Sequence, residues 1–419
     1  MFKEKAILGG LLKIGRKIIP ARLFKFAQPF YHGFLSLLGG MIFGFPSKHL
    51  KIVAVTGTKG KSTVVFMLSR VFEEQGFNVA AVGSLGFKIK EKTWPNMLKM
   101  TMPGRLKLQK FLAQARKAGC EFVFMEATSE GLAQNRLAGV RVDCAVYTNL
   151  HREHLESHGS FENYLKAKQK LFAMTKNRQV LNIDDPYFEK FANFKAGTKI
   201  TFGLNGLINP QRFNINLKLI GDFNVMNALA TLAVADVYRL DLSKAIQTLN
   251  SIETIPGRME VIETESQKFK DLKFKVIVDY AHTPDSLRMV YENLRPYAKK
   301  LICVLGAAGG GRDKWKRPEF GKIAGQYCDE IILTNEDPYE EEPREIIGQI
   351  KTGIPEDKLK SLKFKEILDR GEAIKQALTS VGQGDIVIIT GKGSETSIAV
   401  RGGRKIPWSD AEKVRGLLK

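Results

Sequence analysis

The chain has 419 residues, 44% of them hydrophobic and 26% charged, which is enough apolar content for two or three domains with cores of their own and excludes a disordered chain. A formal net charge of +21 suits an anionic partner, whether nucleic acid, a membrane surface or phosphorylated small molecules. No aromatic-interleaved basic ribbon and no zinc knuckle accompanies that charge, which argues against nucleic acid. Cys120, Cys144, Cys303 and Cys328 form no CxxC pair and no regular spacing, so neither a disulfide framework nor a structural zinc site is expected, and a reducing cytosol is the natural setting.

Residues 1–48 read as a short, atypical N-terminal segment. Lys3, Lys5, Lys13, Arg16, Lys17, Arg22 and Lys25 make its first part basic, and Phe26 to Ser47 then carries no fully charged side chain. A signal peptide, a membrane span and an amphipathic lead-in all fit that pattern. Pro29, Gly33, Gly39, Gly40, Gly44 and Pro46 interrupt the run and no small-residue cleavage site stands out, which favours a segment lying on the cytoplasmic membrane face or a helical hairpin.

From Leu50 the pattern becomes strand, Gly-rich turn, helix, with a β-branched run at Lys51–Val55, the turn at Gly57–Gly60 and an amphipathic helix over Ser62–Glu74. Strands are expected at Asn78–Val82, Phe122–Glu126, Cys144–Asn149 and Gln179–Ile183, followed by a helix-rich stretch from Gly221 to Ile252. That alternation predicts an α/β domain with a mostly parallel sheet. Ile255-Pro256-Gly257 reads as a linker. A second α/β unit follows, with strands at Lys275–Asp279, Leu301–Leu305, Glu330–Thr334 and Asp385–Thr390. The expected division is 1–48, a central P-loop domain over 49–254, and a Rossmann-like C-terminal domain over 255–419.

The sharpest local signal is Thr56-Gly57-Thr58-Lys59-Gly60-Lys61-Ser62-Thr63. Glycines let backbone N–H groups turn toward phosphate, a helix N-terminus adds positive potential, Lys61 can bridge the β- and γ-phosphates, and Ser62 can ligate magnesium. The common P-loop spacing would put its first glycine at position 55, which is Val55. His151, His154 and His158, at spacings of three and four residues, could be zinc ligands on one helical face. A phosphate loop on the same domain makes an oxygen-rich magnesium site the more economical account.

The shortened loop resembles that of the Mur ligases and their folylpolyglutamate synthetase relatives, and the resemblance runs through nearly the whole chain after residue 50. Glu126-Ala127-Thr128-Ser129 with Gly131-Leu132, Thr148-Asn149-Leu150 and His154 are similar to the family's central-domain motifs, in the same order. The resemblance implies ATP and Mg2+, with Glu126 and His154 as metal ligands, although Glu153 stands where an Asp is usual. Tyr164-Leu165-Lys166-Ala167-Lys168 resembles the segment ending in a carbamylated lysine, which points to Lys168. Gly221-Asp222-Phe223-Asn224-Val225-Met226-Asn227 is similar to the adenine-contacting segment, which implies Asn224 and Asn227. Pro256-Gly257-Arg258-Met259-Glu260 and Asp279-Tyr280-Ala281-His282-Thr283-Pro284 imply Arg258 on the γ-phosphate, Asp279 on the ribose and His282 near the phosphates.

Within the family the resemblance is to members that add a diamino acid to UDP-N-acetylmuramoyl-L-alanyl-D-glutamate in peptidoglycan precursor synthesis. Thr101-Met102-Pro103, Ser129, Arg136, Asp337 and Gly391-Lys392-Gly393-Ser394-Glu395 fall at its substrate positions, with Glu130 and Ser394 in place of histidines. The implied enzyme is a cytoplasmic ATP-dependent amide ligase on small molecules, without nucleic acid and with peripheral contact to the membrane face. A bilayer span with the basic flank inside would send residues after Pro46 away from cytoplasmic ATP. The N-terminal segment is much shorter than the family's uridine-nucleotide domain. A different acyl acceptor, such as a folate or a lipid-linked muramoyl peptide, or a regulator that binds nucleotide without turnover, therefore stays open. The family's Asp-Asn-Pro-Arg motif, whose arginine pairs with the distal carboxylate of diaminopimelate, reads Glu336-Asp337-Pro338-Tyr339 here. The missing arginine and the acids Glu340, Glu341 and Glu342 favour L-lysine over meso-diaminopimelate.

Overall fold

The structure is a computed structural model that describes residues 21–98, 100–151, 158–263, 273–311, 314–360 and 363–419. It divides into two compact units, one reaching to Asn209 and including Ala233–Asp241, the other Pro210–Leu232 with Leu242–Lys419. Ile255–Gly257 lies inside the second.

In the first unit α1 (Ala21–Ile42) precedes β1 (Lys51–Thr56), α2 (Lys61–Glu74), β2 (Val79–Gly83), β3 (Gly86–Ile89), β4 (Lys92–Trp94), α3 (Arg105–Lys117), β5 (Phe122–Glu126), α4 (Ser129–Ala133), β6 (Cys144–Tyr147), α5 (Phe161–Met174), β7 (Arg178–Asn182), α6 (Phe188–Ala192) and β8 (Thr198–Phe202). The sheet order is β4-β3-β2-β5-β1-β6-β7-β8, parallel except for the β2-β3-β4 hairpins at one edge. After Lys51 every residue of β1 is buried, as helices on both faces of a parallel sheet require. Each large apolar side chain so buried contributes about 1.5–3 kcal/mol. Because β1 sits between β5 and β6, the chain order reverses there. The loops after β1, β5 and β6 consequently emerge side by side at the carboxyl edge, where ligands of such sheets gather.

The first part of the segment, residues 1–20, lies outside the described residues; of the interrupting glycines, Gly33, Gly39 and Gly40 fall within α1. They let backbone approach backbone: a Cβ on Gly39 would stand 3.2 Å from Leu106 Cα and from Gln109 Cγ of α3, and one on Gly40 would lie 2.7 Å from the Phe45 ring. The Ser36 hydroxyl donates to the Arg136 carbonyl at 2.9 Å. No helix among the described residues is long and apolar enough to cross a membrane.

The second unit holds most of α7 (Phe223–Val237), then α8 (Leu242–Ser251), β9 (Glu260–Ile262), β10 (Lys275–Asp279), α9 (Pro284–Leu294), β11 (Leu301–Leu305), α10 (Lys316–Tyr327), β12 (Glu330–Leu333), α11 (Pro343–Lys351), α12 (Glu356–Leu359), β13 (Phe364–Glu366), α13 (Arg370–Thr379), β14 (Ile386–Thr390), β15 (Ser397–Val400), β16 (Arg404–Pro407) and α14 (Asp410–Leu417). Its sheet runs β13-β12-β11-β14-β10-β9, with β9 alone antiparallel, and β15 and β16 form a separate hairpin.

One expectation fails here. Cys303 and Cys328 form a disulfide with Cα atoms 6.1 Å apart. Their separation of 25 residues carries no local signal, but the β11-α10-β12 crossover returns the chain beside its starting strand and brings the two together. Cys120 and Cys144 are buried free thiols, and burial pushes both above the ordinary thiol value.

Arg370 and Asp410 form a fully buried pair in this unit. Nε and Nη2 donate to the two carboxylate oxygens at 2.7 Å each, and the guanidinium also reaches the Thr390 and Asn335 carbonyls at 2.8 and 3.2 Å. Trp408 Nε1 donates to Asp410 at 2.8 Å. Asp410→Ala would leave a desolvated guanidinium and is expected to cost about 3–5 kcal/mol of unfolding free energy. Glu356→Ala, which breaks the exposed pair with Lys360, is expected to cost less than about 1 kcal/mol. Urea titration of both variants checks the contrast.

Candidate active site

The Gly-rich loop is held from two sides. Thr148, just past β6, donates through Oγ1 to the Lys59 carbonyl at 2.6 Å, and the Lys59 N–H donates to Asn149 Oδ1 at 2.8 Å. The Thr58 N–H donates to the Asn149 carbonyl at 2.9 Å. Gly57 has φ 153° and packs so closely on Thr148 that a Cβ would collide with its hydroxyl. From the other side comes α5. Lys168 is 1% exposed and donates from Nζ to the Gly57 carbonyl at 2.8 Å, its ammonium 4.6 Å from the Tyr164 ring centroid. The Tyr164 hydroxyl lies 2.9 Å from Thr58 Oγ1.

Gly60 adopts the left-handed conformation just before α2, so the helix starts at Lys61 with Ser62 and Thr63 in its first turn. Lys61 folds back on the loop, donating to the Gly57 and Thr58 carbonyls at 2.8 and 2.9 Å. Loop N–H groups, a helix N-terminus and Lys61 together make a cradle for a polyphosphate.

Glu126, at the end of β5, is buried and accepts from the Ser84 N–H at 2.6 Å and the Ser84 hydroxyl at 3.4 Å. That hydroxyl is 3.2 Å from Thr101 Oγ1. Ser84 therefore joins two residues that the sequence reading kept apart. Its own signal was weak: a serine one residue past a strand end. Ser129 meets His158, whose Nε2 lies 3.1 Å from the hydroxyl, and burial pushes that imidazole below its ordinary value. Arg136 turns inward, giving Nη1 to the Met102 carbonyl at 2.8 Å and Nε and Nη2 to Gln134 Oε1 at 3.0 and 2.7 Å. It thereby braces the Thr101–Pro103 loop.

His154 and Glu153 lie outside the described residues. His151 is in irregular backbone with its N–H on Thr58 Oγ1, not on a helical face, and no group of three or more His, Cys, Asp or Glu poised for a metal occurs among the described residues. The donors present suit a hard cation better than zinc: a hydroxyl at Ser62, a carboxylate at Glu126 and, if carbamylated, an oxyanion at Lys168.

In the second unit the Asp279 carboxylate accepts from the Met259 and Ala281 N–H groups, each at 2.7 Å, and so fixes the segment that carries Arg258. The Arg258 guanidinium lies 4.6 Å from the Tyr280 ring centroid, and His282 packs on the same ring with Nδ1 2.8 Å from the Tyr280 carbonyl. Asn224 and Asn227 bond to each other at 3.2 Å, and Asn224 caps the Ile220 carbonyl at 2.8 Å. Lys392, read only as part of a motif, is a hub: its buried ammonium donates to Asp337 at 2.8 Å and to Glu395 at 2.5 Å. Burial opposes its charge, but Glu395, Asp337 and Glu336 hold its pKa above the ordinary value. Glu336 lies against Gly391 with Oε2 buried and unbonded, and burial pushes its carboxyl up to about 7.

A phosphate cradle at the switch point of a parallel sheet, followed by a second α/β unit with its own cluster of charged groups, defines a nucleotide-binding α/β protein. Residues 55–235 match the Mur ligase middle domain, and residues 257–393 match the Mur ligase glutamate ligase domain. The chain is 38% identical over 394 residues to the UDP-N-acetylmuramoyl-L-alanyl-D-glutamate--2,6-diaminopimelate ligase of Caldanaerobacter subterraneus subsp. tengcongensis, covering 89% of this chain and 79% of the relative. It is 35% identical over 425 residues to the UDP-N-acetylmuramyl-tripeptide synthetase of a Roseiflexus strain, covering 92% and 81%. A solved structure of a ligase with the first of these names aligns with TM-score 0.61 and 31% identity over 92% of this chain and 82% of that one. The chain belongs to the Mur ligase family, whose members are ATP-dependent, ADP-forming amide ligases, and it is such an enzyme.

Because Lys61 rests on loop carbonyls that water can satisfy, Lys61→Ala is expected to leave the unfolding midpoint in place. Loss of its charge from the loop is expected to lower ADP formation by about 10²–10³-fold. Thermal unfolding and a coupled ADP assay on the same preparation check both halves.

Proposed function

We propose that the enzyme phosphorylates the free carboxylate of UDP-N-acetylmuramoyl-L-alanyl-D-glutamate and joins it to a diamino acid, a step of peptidoglycan precursor synthesis carried out in the cytoplasm. The observation that carries this reading is the convergence of Lys61 and Lys168 on the Gly57 carbonyl, beside relatives named for this reaction. A carboxylate does not condense with an amine at neutral pH, because the oxygen it would expel is a poor leaving group. Transfer of the γ-phosphoryl of ATP makes an acyl phosphate and ADP; the amine then attacks the carbonyl carbon, loses a proton and expels inorganic phosphate.

Each unit contributes to that chemistry in this reading, with residues 49–254 carrying the phosphate loop and 255–419 the amino-acid site. Gly57, Thr58, Lys59, Gly60 and Thr63 surround the phosphates, and Lys61 and Arg258 offset the charge that spreads over the transferring group. Asn224 and Asn227 serve the adenine, Asp279 the ribose and His282 the phosphates. Ser62, Glu126, His154 and a carbamate on Lys168 would hold Mg2+, which would supply positive charge to offset that of the phosphates. A carbamate keeps one N–H on Nζ, so Lys168 can be modified without giving up the Gly57 carbonyl. Thr101, Ser129 and Arg136 shape the acyl side; Arg136 acts by bracing Met102. Asp337, Gly391 and Glu395 shape the amino-acid side. The N-terminal segment would bring the enzyme into peripheral contact with the inner membrane face.

Several of the acids around Tyr339 are engaged within the fold, while Glu342 is exposed. Asp337 is taken by Lys392 and the Ala399 N–H, Glu341 by Arg317 and the Gly311 N–H, and Glu340 by the Gly402 N–H. Attraction of a distal ammonium thus loses support from these acids, and the preference for L-lysine rests on Tyr339 standing where an arginine would clamp a second carboxylate.

Lys168→Ala is expected to be nearly inactive and to regain part of its turnover when acetate supplies the missing carboxylate; no rescue, together with an unmodified Lys168 by mass spectrometry, would remove the carbamate. Phosphate release by the unaltered enzyme should require both the muramoyl dipeptide and an amino acid. Among L-lysine, L-ornithine and meso-diaminopimelate, L-lysine is expected to give the highest kcat/KM, and a preference for diaminopimelate would show that another cation replaces the arginine.

A further inference from the structure

Phe34, Leu37 and Met41 recur along α1 at spacings of three and four residues, within an arc of roughly 60° at about 100° per residue. They lie exposed together with Ile42 beyond them, Phe34 by 64%, Met41 by 59% and Ile42 by 62%. The opposite face is fixed by the close approach of Gly39 and Gly40 to Leu106, Gln109 and Phe45 and by the Ser36 bond to Arg136, so the stripe cannot turn inward. Beside it, Phe30, Phe34, Leu132, Leu137 and Lys170 line an open groove of about 600 Å³, and Met174 at its edge is also exposed.

Charge identifies the occupant. The sequence up to residue 25 carries Lys3, Lys5, Lys13, Arg16, Lys17, Arg22 and Lys25 against the single acid Glu4, interspersed with Ile7, Leu8, Leu11, Leu12, Ile14, Ile18 and Ile19. Apolar side chains alternating with cations, leading into a helix whose outer stripe is apolar and whose inner face is anchored, suit a surface that is greasy below and anionic above. A protein groove would use the stripe but not that density of positive charge.

We propose that α1 is an interfacial docking helix for an anionic lipid bilayer, with Phe34, Leu37, Met41 and Ile42 entering the acyl boundary. The inference deepens the membrane contact proposed above and fixes which side of the first unit faces the lipid.

The test is co-flotation of the full-length protein with vesicles of phosphatidylglycerol and phosphatidylcholine, against vesicles of phosphatidylcholine alone. The protein is expected to float with the anionic vesicles, to lose most of that binding in about 0.5 M salt, where screening shortens to a few ångströms, and to bind the neutral vesicles at least tenfold less. Phe34→Asp with Met41→Asp should reduce the bound fraction at least tenfold, while phosphate release on water-soluble substrates stays as in the unaltered enzyme. Flotation undiminished in the double variant, or no flotation of the unaltered protein, overturns the proposal. So does a dimer in sedimentation that the same substitutions abolish without any flotation, because the stripe then belongs to a second copy. Flotation with no ligase turnover would instead count against the proposed reaction and leave the docking helix standing.

Discussion

A buried ammonium with a backbone carbonyl as its partner governs the first unit. Lys168 donates to the Gly57 carbonyl from a position almost without solvent, and a cation so placed is tolerated only where oxygen atoms are supplied to it. The Gly57 carbonyl can serve because the loop is turned by left-handed Gly60 and held at Lys59 and Thr58 by Thr148 and Asn149. The helix after the β6 loop and the strand at the centre of the sheet are thereby coupled through one oxygen. Preorganised N–H groups then need little rearrangement to receive phosphate, which is where much of an enzyme's electrostatic advantage originates.

The second unit solves a similar problem with opposite signs. Glu336, Asp337 and Glu395 gather at the strand ends around Lys392, while Arg370, bonded to Asp410 and to the Asn335 and Thr390 carbonyls, supports the backbone from which Glu336 and Gly391 extend. Most of the negative charge in this cluster is satisfied internally. In the proposed reading the count of acids around position 339 therefore says little about which amino acid is taken.

Much of this was legible beforehand, for identifiable reasons. Strands Phe122–Glu126, Lys275–Asp279 and Leu301–Leu305 were read to the residue because each is built on a run of buried apolar side chains ended by turn or polar signals. The hairpin of β3 and β4 was missed: its residues alternate lysines with apolar side chains at a solvent-exposed edge, and such short segments carry little periodic signal. β8, β9, β13, β15 and β16 were also missed; none is longer than five residues, too short for a clear period. The site motifs were visible as sequence, but Ser84 between Glu126 and Thr101, His158 on Ser129 and Lys392 among its acids depend on chain crossings that no local pattern encodes. The Cys303–Cys328 bond is the same lesson in covalent form.

The state of the cysteines has a practical side. Two are joined to each other and two are sealed in the core with their thiolate forms disfavoured, so the native protein presents a nearly silent background to thiol reagents. A single cysteine placed on the surface of each unit would then be the only fast-reacting pair in the molecule. Two dyes attached there would report the distance between the units in solution, turnover by turnover, without first stripping the chain of its own sulfur.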